Sequence, residues 1–473
     1  MTRYPYQQDL QLILQSMKQA HLKHGPASAE LRRDRLLRSV LLLQENQQAI
    51  TAALSADFGH RSEYQTMAAD LVTTVAMLQH SADALEEWMK PEQAAVPVAG
   101  MQAWIEPQPL GVVGIISPWN FAINLAFGPL AGVFAAGNTA MLKPSELTPT
   151  TSELLAEIVP RYFDQTELTV VLGDASVGQA FSALPFDHLV FTGSTAVGKQ
   201  VMRAAAENLV PVTLELGGKS PVVMDTDADP VMAAERTMTI KTFNAGQICI
   251  SPDYLLLPVA AEAAFVEAAS AFVRQTLPSI QANSDYTSII NDRHYQRLVG
   301  LLKDAESKGA KIISLAPEGE ADFDASSRKI APHLVLNVTE DMAIMQEEIF
   351  GPLLPIKTYS GKLDTAIAII NAGPRPLAAY YFGHTEEGQQ KMRKETTSGA
   401  LVINDVMTHA SLDSLPFGGV GASGMGAYHG IHGFRRFSHA KPVVIQNEEG
   451  TTNLRLRAPY QDKLIALKNV FTV

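Results

Sequence analysis

Apolar residues recur at helical spacing through residues 7–92, as in Leu10-Gln-Leu-Ile-Leu14, Leu36-Leu-Arg-Ser-Val-Leu-Leu-Leu43 and Leu71-Val-Thr-Thr-Val-Ala-Met-Leu78. Gly and Pro are scarce there, so the stretch predicts a run of helices. From Pro91 to Pro109 the texture changes to Val, Ala and Gly around Ala95–Ile105. That predicts an extended ribbon outside the main sheet, of the kind that meets a neighbouring subunit. From 110 to 225 the pattern alternates. Strands are predicted at 111–116, 139–143, 168–172, 188–191 and 211–216, separated by helices at 122–136, 148–158, 176–182 and 195–206. Strands alternating with helices imply a parallel sheet covered on both faces. A second series runs from 220 to about 405, with helices near 229–244, 260–275 and 292–308 and strands at 311–315, 334–336 and 353–357. The tail turns Gly-rich over Phe417–Gly426, shows a strand signal at Val443-Val-Ile445 and ends in a polar terminus.

Composition narrows the class. A chain of 473 residues predicts two large domains or three ordinary ones, and 46% hydrophobic with 18% charged residues describes an ordinary globular protein. The net charge of −12, from 37 basic and 49 acidic residues, argues against nucleic acid as a partner. One cysteine excludes an internal disulfide framework and fits a reducing compartment. The opening Met1–Asp9 lacks the basic-then-apolar pattern of a signal peptide, so a cytoplasmic location is expected. Phe121–Leu142 is apolar enough to imitate a membrane span, but Gly128-Pro129 and Gly137-Asn138 punctuate it as strand and helix boundaries. No membrane span is predicted.

The single thiol, Cys249, sits in Phe243-Asn-Ala-Gly-Gln-Ile-Cys-Ile-Ser-Pro-Asp253, a polar segment that no core strand needs. It reads either as a small buried hydrophobe or as a nucleophile. Glu215 stands where a strand-like run breaks at Gly217-Gly218, a place where clefts open in α/β sheets. Asn120, in Ser117-Pro-Trp-Asn-Phe121, follows a strand in the same way. Its amide suits an oxyanion donor, or a cap for the next helix. Lys143 and Glu146 follow the next strand and suit ribose hydroxyls, or a solvated Lys and a capping-box Glu. Gly193-Ser-Thr-Ala-Val-Gly198-Lys-Gln200 opens a helix after a strand, which favours an anion at the helix N-terminus. Gln200 stands where a P-loop carries its metal-binding hydroxyl, so a nucleotide triphosphatase is disfavoured. Glu347-Glu348 precedes Phe350 and a Gly-Pro turn, an arrangement suited to stacking on a flat ring. His429 and His432 lack a third ligand nearby, so no metal site is expected.

Taken together, Pro-Trp-Asn-Phe, Lys-Pro-Ser-Glu, Phe-Thr-Gly-Ser-Thr, Leu-Glu-Leu-Gly-Gly-Lys-Ser-Pro, the Gly-Gln-Ile-Cys loop and Glu-Glu-Ile-Phe-Gly-Pro occur in the order of the aldehyde dehydrogenase family, which residues 105–440 resemble. The resemblance implies two Rossmann-like doubly wound α/β domains with a small β ribbon for oligomerisation. Residues 1–92 and 108–217 would form the NAD(P)-binding domain, 218–416 the catalytic domain, and 93–107 with 437–473 the ribbon and C-terminal arm. It implies Cys249 as nucleophile, Glu215 as general base, and Asn120 with the Cys249 backbone N–H as oxyanion hole. It further implies cofactor contacts from Trp119, Lys143, Glu146, Gly193, Ser194, Gly198, Leu216, Glu348 and Phe350.

Pro376–Phe382, Val402–Val406 and Leu415–Gly430 resemble the class 3 branch, whose members acting on aromatic, fatty and coniferyl aldehydes are usually homodimers. The bacterial coniferyl members are the most similar. NAD is the expected cofactor, with NADP accepted less well because Glu146 would repel a 2′-phosphate. Gly128, where many tetrameric members carry a bulky aromatic, is expected to widen the pocket mouth. A long-chain aliphatic aldehyde is the alternative substrate, and a cysteine-dependent acyl hydrolase the alternative of another class. A CoA-acylating semialdehyde dehydrogenase ranks low because Glu215 is present.

Overall fold

The computed structural model describes residues 7–450 and 452–471. The first six residues of the stretch read for a targeting signal, and Thr451, Thr472 and Val473 of the expected C-terminal arm, lie outside the described residues. The helical start forms as predicted, as Gln7–His24, Ala29–Glu45, Gln47–Phe58 and Thr73–Trp88. A π-helical turn, Thr66–Val72, leads into the last of these, a rare form that often marks functional sites.

Two sheets carry the rest. In the first, Val212–Leu216, His188–Gly193, Val112–Ile116, Thr139–Lys143 and Leu168–Val170 lie side by side and parallel, and Gly424–Met425 adds an antiparallel edge. Strand order reverses beside Val112–Ile116: the chain runs outward to Leu168–Val170, then returns to the opposite side as His188–Gly193. Ligands collect at the carboxyl ends of strands at such a switch point. The loops carrying Trp119, Asn120, Gly193 and Ser194 leave the sheet at that spot.

The second sheet orders Lys311–Ser314, His333–Leu336, Leu353–Tyr359, Tyr254–Pro258, Pro221–Met224, Ala378–Phe382 and Ala400–Ile403, parallel except at the Lys311–Ser314 edge. Sequence periodicity left four of these seven undrawn. Pro221–Met224, Tyr254–Pro258 and Ala378–Phe382 are buried on both faces, so they lack the alternation that marks a half-buried strand. The strand predicted at 168–172 ends at Val170.

The ribbon predicted near 91–109 is three-stranded: Gln102–Pro109 pairs antiparallel with Glu92–Gln93 and Ser438–Ile445. The terminus read as merely polar contains a helix, Gln461–Asn469, with Leu464, Ile465 and Leu467 exposed. Among the described residues no helix is long and apolar enough to cross a membrane.

The Asn124–Ala135 helix runs buried along nearly its whole length. Arg32 Nη1 donates to its Ala135 carbonyl at 3.0 Å, and Arg35 Nη1 donates to Asn138 O at 3.3 Å. Two cations therefore meet the carbonyl end of the helix, where its dipole favours them. At the other end Asp70 Oδ1 accepts from the backbone N–H groups of Ile123 and Asn124 at 3.0 and 3.1 Å. The helix that carries one wall of the site is thus fixed at both ends.

Candidate active site

After the Pro230–Thr242 helix, Asn244 (φ 50°), Ala245 (φ 50°) and Gly246 (φ 70°) adopt left-handed backbone in succession. For the two non-glycine residues this costs about 1–2 kcal/mol each, and hydrogen bonds hold the turn. Gln65 Oε1 accepts from Asn244 N at 2.9 Å, Gln247 Nε2 donates to Ser288 O at 3.1 Å, and Ile290 N donates to Gln247 Oε1 at 3.0 Å. A side chain at 246 would have its Cβ 2.3 Å from Gly351 O, so only glycine fits. The turn delivers Cys249 half-buried. Its thiol is pushed up to about 12 by withdrawal from water and by the nearby carboxyls of Glu348 and Glu215. The backbone N–H groups of Cys249 and Ile250 oppose this.

Asn120 is not a cap: the following helix begins at Asn124, and Asp70 does the capping. Its Nδ2 donates to Gln247 O at 3.2 Å, reaching the cysteine loop, with a second N–H to spare. Its carbonyl accepts from Arg61 Nη1 at 2.8 Å and Asn244 Nδ2 at 3.3 Å. Arg61 is in turn paired with Asp70 at 2.7 Å, both side chains fully buried. Sequence reasoning missed Arg61 and Asp70 because no local motif marks a pair whose purpose lies 59 residues away at Asn120.

Glu215, at the end of its strand, is buried, and neither carboxylate oxygen has a hydrogen-bond partner among the described residues. Burial raises its pKa well above the carboxylate range. It faces the same cleft as Cys249.

Two cavities meet at Cys249 and Leu125. One, of about 310 Å³, is walled by Phe121, Phe243, Phe417, Tyr428 and the 406–411 loop. Leu125, Ile250 and Met407 come to it from three separate loops or helices, and Ala69, Thr73 and His429 complete the wall. Gly128 adds no side chain to this wall; the point its Cβ would occupy lies at ordinary contact distance, 3.6 Å from Met77 Sδ and 4.0 Å from the ring of Tyr428, which does line the cavity.

The other cavity, of about 490 Å³, brings together Trp119, Asn120, Gly193, Ser194, Glu215, Leu216, Cys249, Glu348 and Phe350. Ser194 is the N-cap of the Thr195–Ala206 helix, whose free N–H groups suit a phosphate. Gly198 lies one turn inside that helix, where a Cβ would stand 2.6 Å from Leu216 Cδ2. Its contribution in this structure is close helix-to-strand packing. Glu347 is exposed and paired with Arg297 at 3.0 Å, while Glu348 turns inward against Gly217. Burial, and then Asp253, raise the Glu348 carboxyl to about 8. Its Oε1 and Thr192 Oγ1 have no partner among the described residues. Trp119 meets Phe350 edge-on at 5.4 Å and His294 at 5.5 Å, lining the mouth with rings. Lys143 and Glu146 stand apart from this cleft, 3.4 Å from each other, with Glu146 bordering a shallow depression of about 40 Å³. A helix N-terminus, flat rings and unpaired hydroxyl and carboxyl oxygens are the donor and acceptor set that a dinucleotide requires, so the residues fit one. Among the described residues no cluster of three or more metal-ligating side chains occurs.

A strand-switch cleft with a lone thiol between an aromatic and a polar cavity is the arrangement that a thiol enzyme with a nucleotide site would need, and comparison with known proteins names the class. The sequence profile of the aldehyde dehydrogenase family matches residues 4–443, and the chain belongs to that family. It is 58% identical over 457 residues to a coniferyl aldehyde dehydrogenase from Pseudomonas sp. (strain HR199 / DSM 7063), covering 97% of this chain and 95% of that one. Among solved structures it is similar to Staphylococcus aureus AldH in a substrate-bound state, with TM-score 0.91 and 36% identity over 98% and 99% of the two chains. It is also similar to a P. syringae indole-3-acetaldehyde dehydrogenase in complex with NAD+, with TM-score 0.85 and 25% identity over 93% and 89%.

Proposed function

We propose that this aldehyde dehydrogenase oxidises a substituted aromatic aldehyde of the coniferyl type to its acid with NAD. The observation that carries the reading is the position of Cys249 at the junction of an aromatic-walled cavity and a polar cleft that fits a dinucleotide. Residues 7–92 and 108–217 form the cofactor domain, 218–416 the catalytic domain, and the ribbon with the C-terminal arm an oligomer contact.

Cys249 gives its proton to solvent and its sulfur attacks the carbonyl carbon, forming a thiohemiacetal whose oxyanion accepts from Asn120 Nδ2 and the Cys249 N–H. When bound, the nicotinamide supplies the acceptor for the hydride that leaves this carbon, which becomes a thioester. Glu215, once ionised, takes a proton from water, the hydroxide attacks the thioester carbon, and Cys249 leaves as the acid departs. Glu348, Phe350, Trp119 and Leu216 would hold the nicotinamide end, Gly193 and Ser194 the pyrophosphate, with Gly198 letting their helix pack close to the strand, and Lys143 with Glu146 the adenosine ribose. Repulsion between Glu146 and a 2′-phosphate favours NAD; a kcat/KM higher with NADP would refute that assignment.

The chain works as a homodimer in the cytoplasm. Supporting the dimer, Val444 and Ile445 on the ribbon and Val470 and Phe471 after the last helix are exposed apolar side chains; supporting the compartment is the single free thiol. NADH absorbance with a panel from acetaldehyde through hexanal to coniferaldehyde tests the function. Turnover should favour coniferaldehyde and vanish in Cys249→Ala. Cleavage of a thioester without NAD, and no aldehyde oxidation, would favour an acyl hydrolase instead.

A further inference from the structure

Asn124 lines the aromatic-walled cavity together with Thr73. Its amide orientation follows from its neighbours. Thr73 Oγ1 lies 2.5 Å from Ala69 O and Thr74 Oγ1 lies 2.6 Å from Asp70 O. Two oxygens that close must share a proton, so both hydroxyls donate to carbonyls one turn back and keep only acceptor capacity for other partners. Asn124 Nδ2 stands 3.2 Å from Thr73 Oγ1 and 3.0 Å from Thr74 Oγ1, with Met77 Sδ at 3.8 Å. Two N–H bonds therefore meet two acceptors. The flipped amide would set Oδ1 against the same two acceptors and a thioether, an arrangement with no hydrogen bond in it. Oδ1 must point the other way. It has no partner among the described residues and is not among the enclosed polar atoms, so it opens to the cavity.

From this we infer that Asn124 is a specificity-determining residue, whose Oδ1 accepts a hydrogen bond from a hydroxyl carried by the aldehyde. The inference rests on the aldehyde-oxidising reading above and adds the chemical group that the cavity selects. The amide cannot turn to offer its N–H groups, because the Thr73 and Thr74 hydroxyls hold both. The site consequently distinguishes a donor from an acceptor: a phenol is favoured over its methyl ether. The π-turn just before Thr73 matters here because Ala69, on that turn, both lines the cavity and receives the Thr73 proton. The remaining lining near Asn124 is largely apolar, with Leu125 and Phe121 beside it, so a hydroxyl docked there leaves water for a single strong acceptor.

The test compares kcat/KM for coniferaldehyde with that for its O-methyl ether in the wild-type enzyme and in Asn124→Leu. One neutral hydrogen bond corresponds to about a tenfold preference for the phenol. In Asn124→Leu the ratio should fall toward one, whatever the change in kcat/KM for the ether alone. A purely structural role would lower both substrates together and leave the ratio in place. Thr74→Val, a buried and nearly isosteric change, keeps the inference testable should the leucine variant fail to fold. Freed on one side, the amide can turn, and the preference should drop by about half or more on a logarithmic scale. A wild-type ratio near one, or a ratio unchanged in the variants, would overturn the inference. Failure of the wild-type enzyme to oxidise either aldehyde would instead refute the underlying reading.

Discussion

Replacing Gly217 with alanine perturbs the cofactor cleft at one defined contact. The added Cβ would fall 2.1 Å from Glu348 Oε2, 2.4 Å from Oε1 and 2.5 Å from Cδ. Ordinary non-bonded contact needs about 3.5 Å, so the carboxyl must retreat by about 1 Å. The retreat also strains its hydrogen bond from the Gly218 backbone, which at present favours the charged form. Unlike Gly218 (φ 153°), Gly217 is not in the left-handed region, so alanine meets no backbone penalty there. The clash is with the end of a flexible side chain, and the stability cost should stay within about 1–3 kcal/mol. Function should suffer more, because misplacing a positioning group by about 1 Å can cost up to about 100-fold. We expect KM for NAD to rise about 10- to 100-fold at saturating aldehyde. Quenching of Trp119 fluorescence by NAD would report the same weakening without turnover. Glu348→Gln should add little on top of Gly217→Ala, since the group is already displaced. A KM for NAD within about twofold of wild type, or full additivity of the two substitutions, would refute the reasoning.

Two further outcomes follow from buried charge. Because the Cys249 thiol is pushed up to about 12, its alkylation by iodoacetamide without cofactor should accelerate about tenfold per pH unit from pH 7 to 10. As the chain has one cysteine, total label incorporated reads this site alone, and a plateau below pH 8 would contradict the burial argument. Arg61→Met should cost about 3–5 kcal/mol in denaturant unfolding, because it strands Asp70 inside the protein. It should also lower kcat by loosening Asn120, whose carbonyl Arg61 holds.

How much of this was readable from the chain depends on how local each feature is. The Thr195–Ala206 helix, whose apolar face alternates with polar positions, was visible from its period, and Thr139–Lys143, though buried throughout, was visible because Gly137-Asn138 and Pro144 bracket it. Strands buried on both faces, Tyr254–Pro258 and Ala378–Phe382, carry no period to detect. Glu215 and Asn120 were read at strand ends and Cys249 on a polar loop, the family resemblance grouped them, and one cleft is lined by all three. The pair Arg61–Asp70 and the amide of Asn124 were invisible because the groups they hold or are held by lie far away in sequence. What each side chain does is decided by partners that no spacing rule connects.

The most direct test of the account is the intact mass of Glu215→Gln after mixing with NAD and coniferaldehyde. If Cys249 is the nucleophile and Glu215 activates the water, the variant should form the thioester and fail to hydrolyse it. The protein should then gain the mass of one acyl group, map it to Cys249, and release about one equivalent of NADH in a burst. An unmodified protein with full turnover would contradict the assignment of Glu215, and an acyl group on any residue other than Cys249 would contradict the central claim.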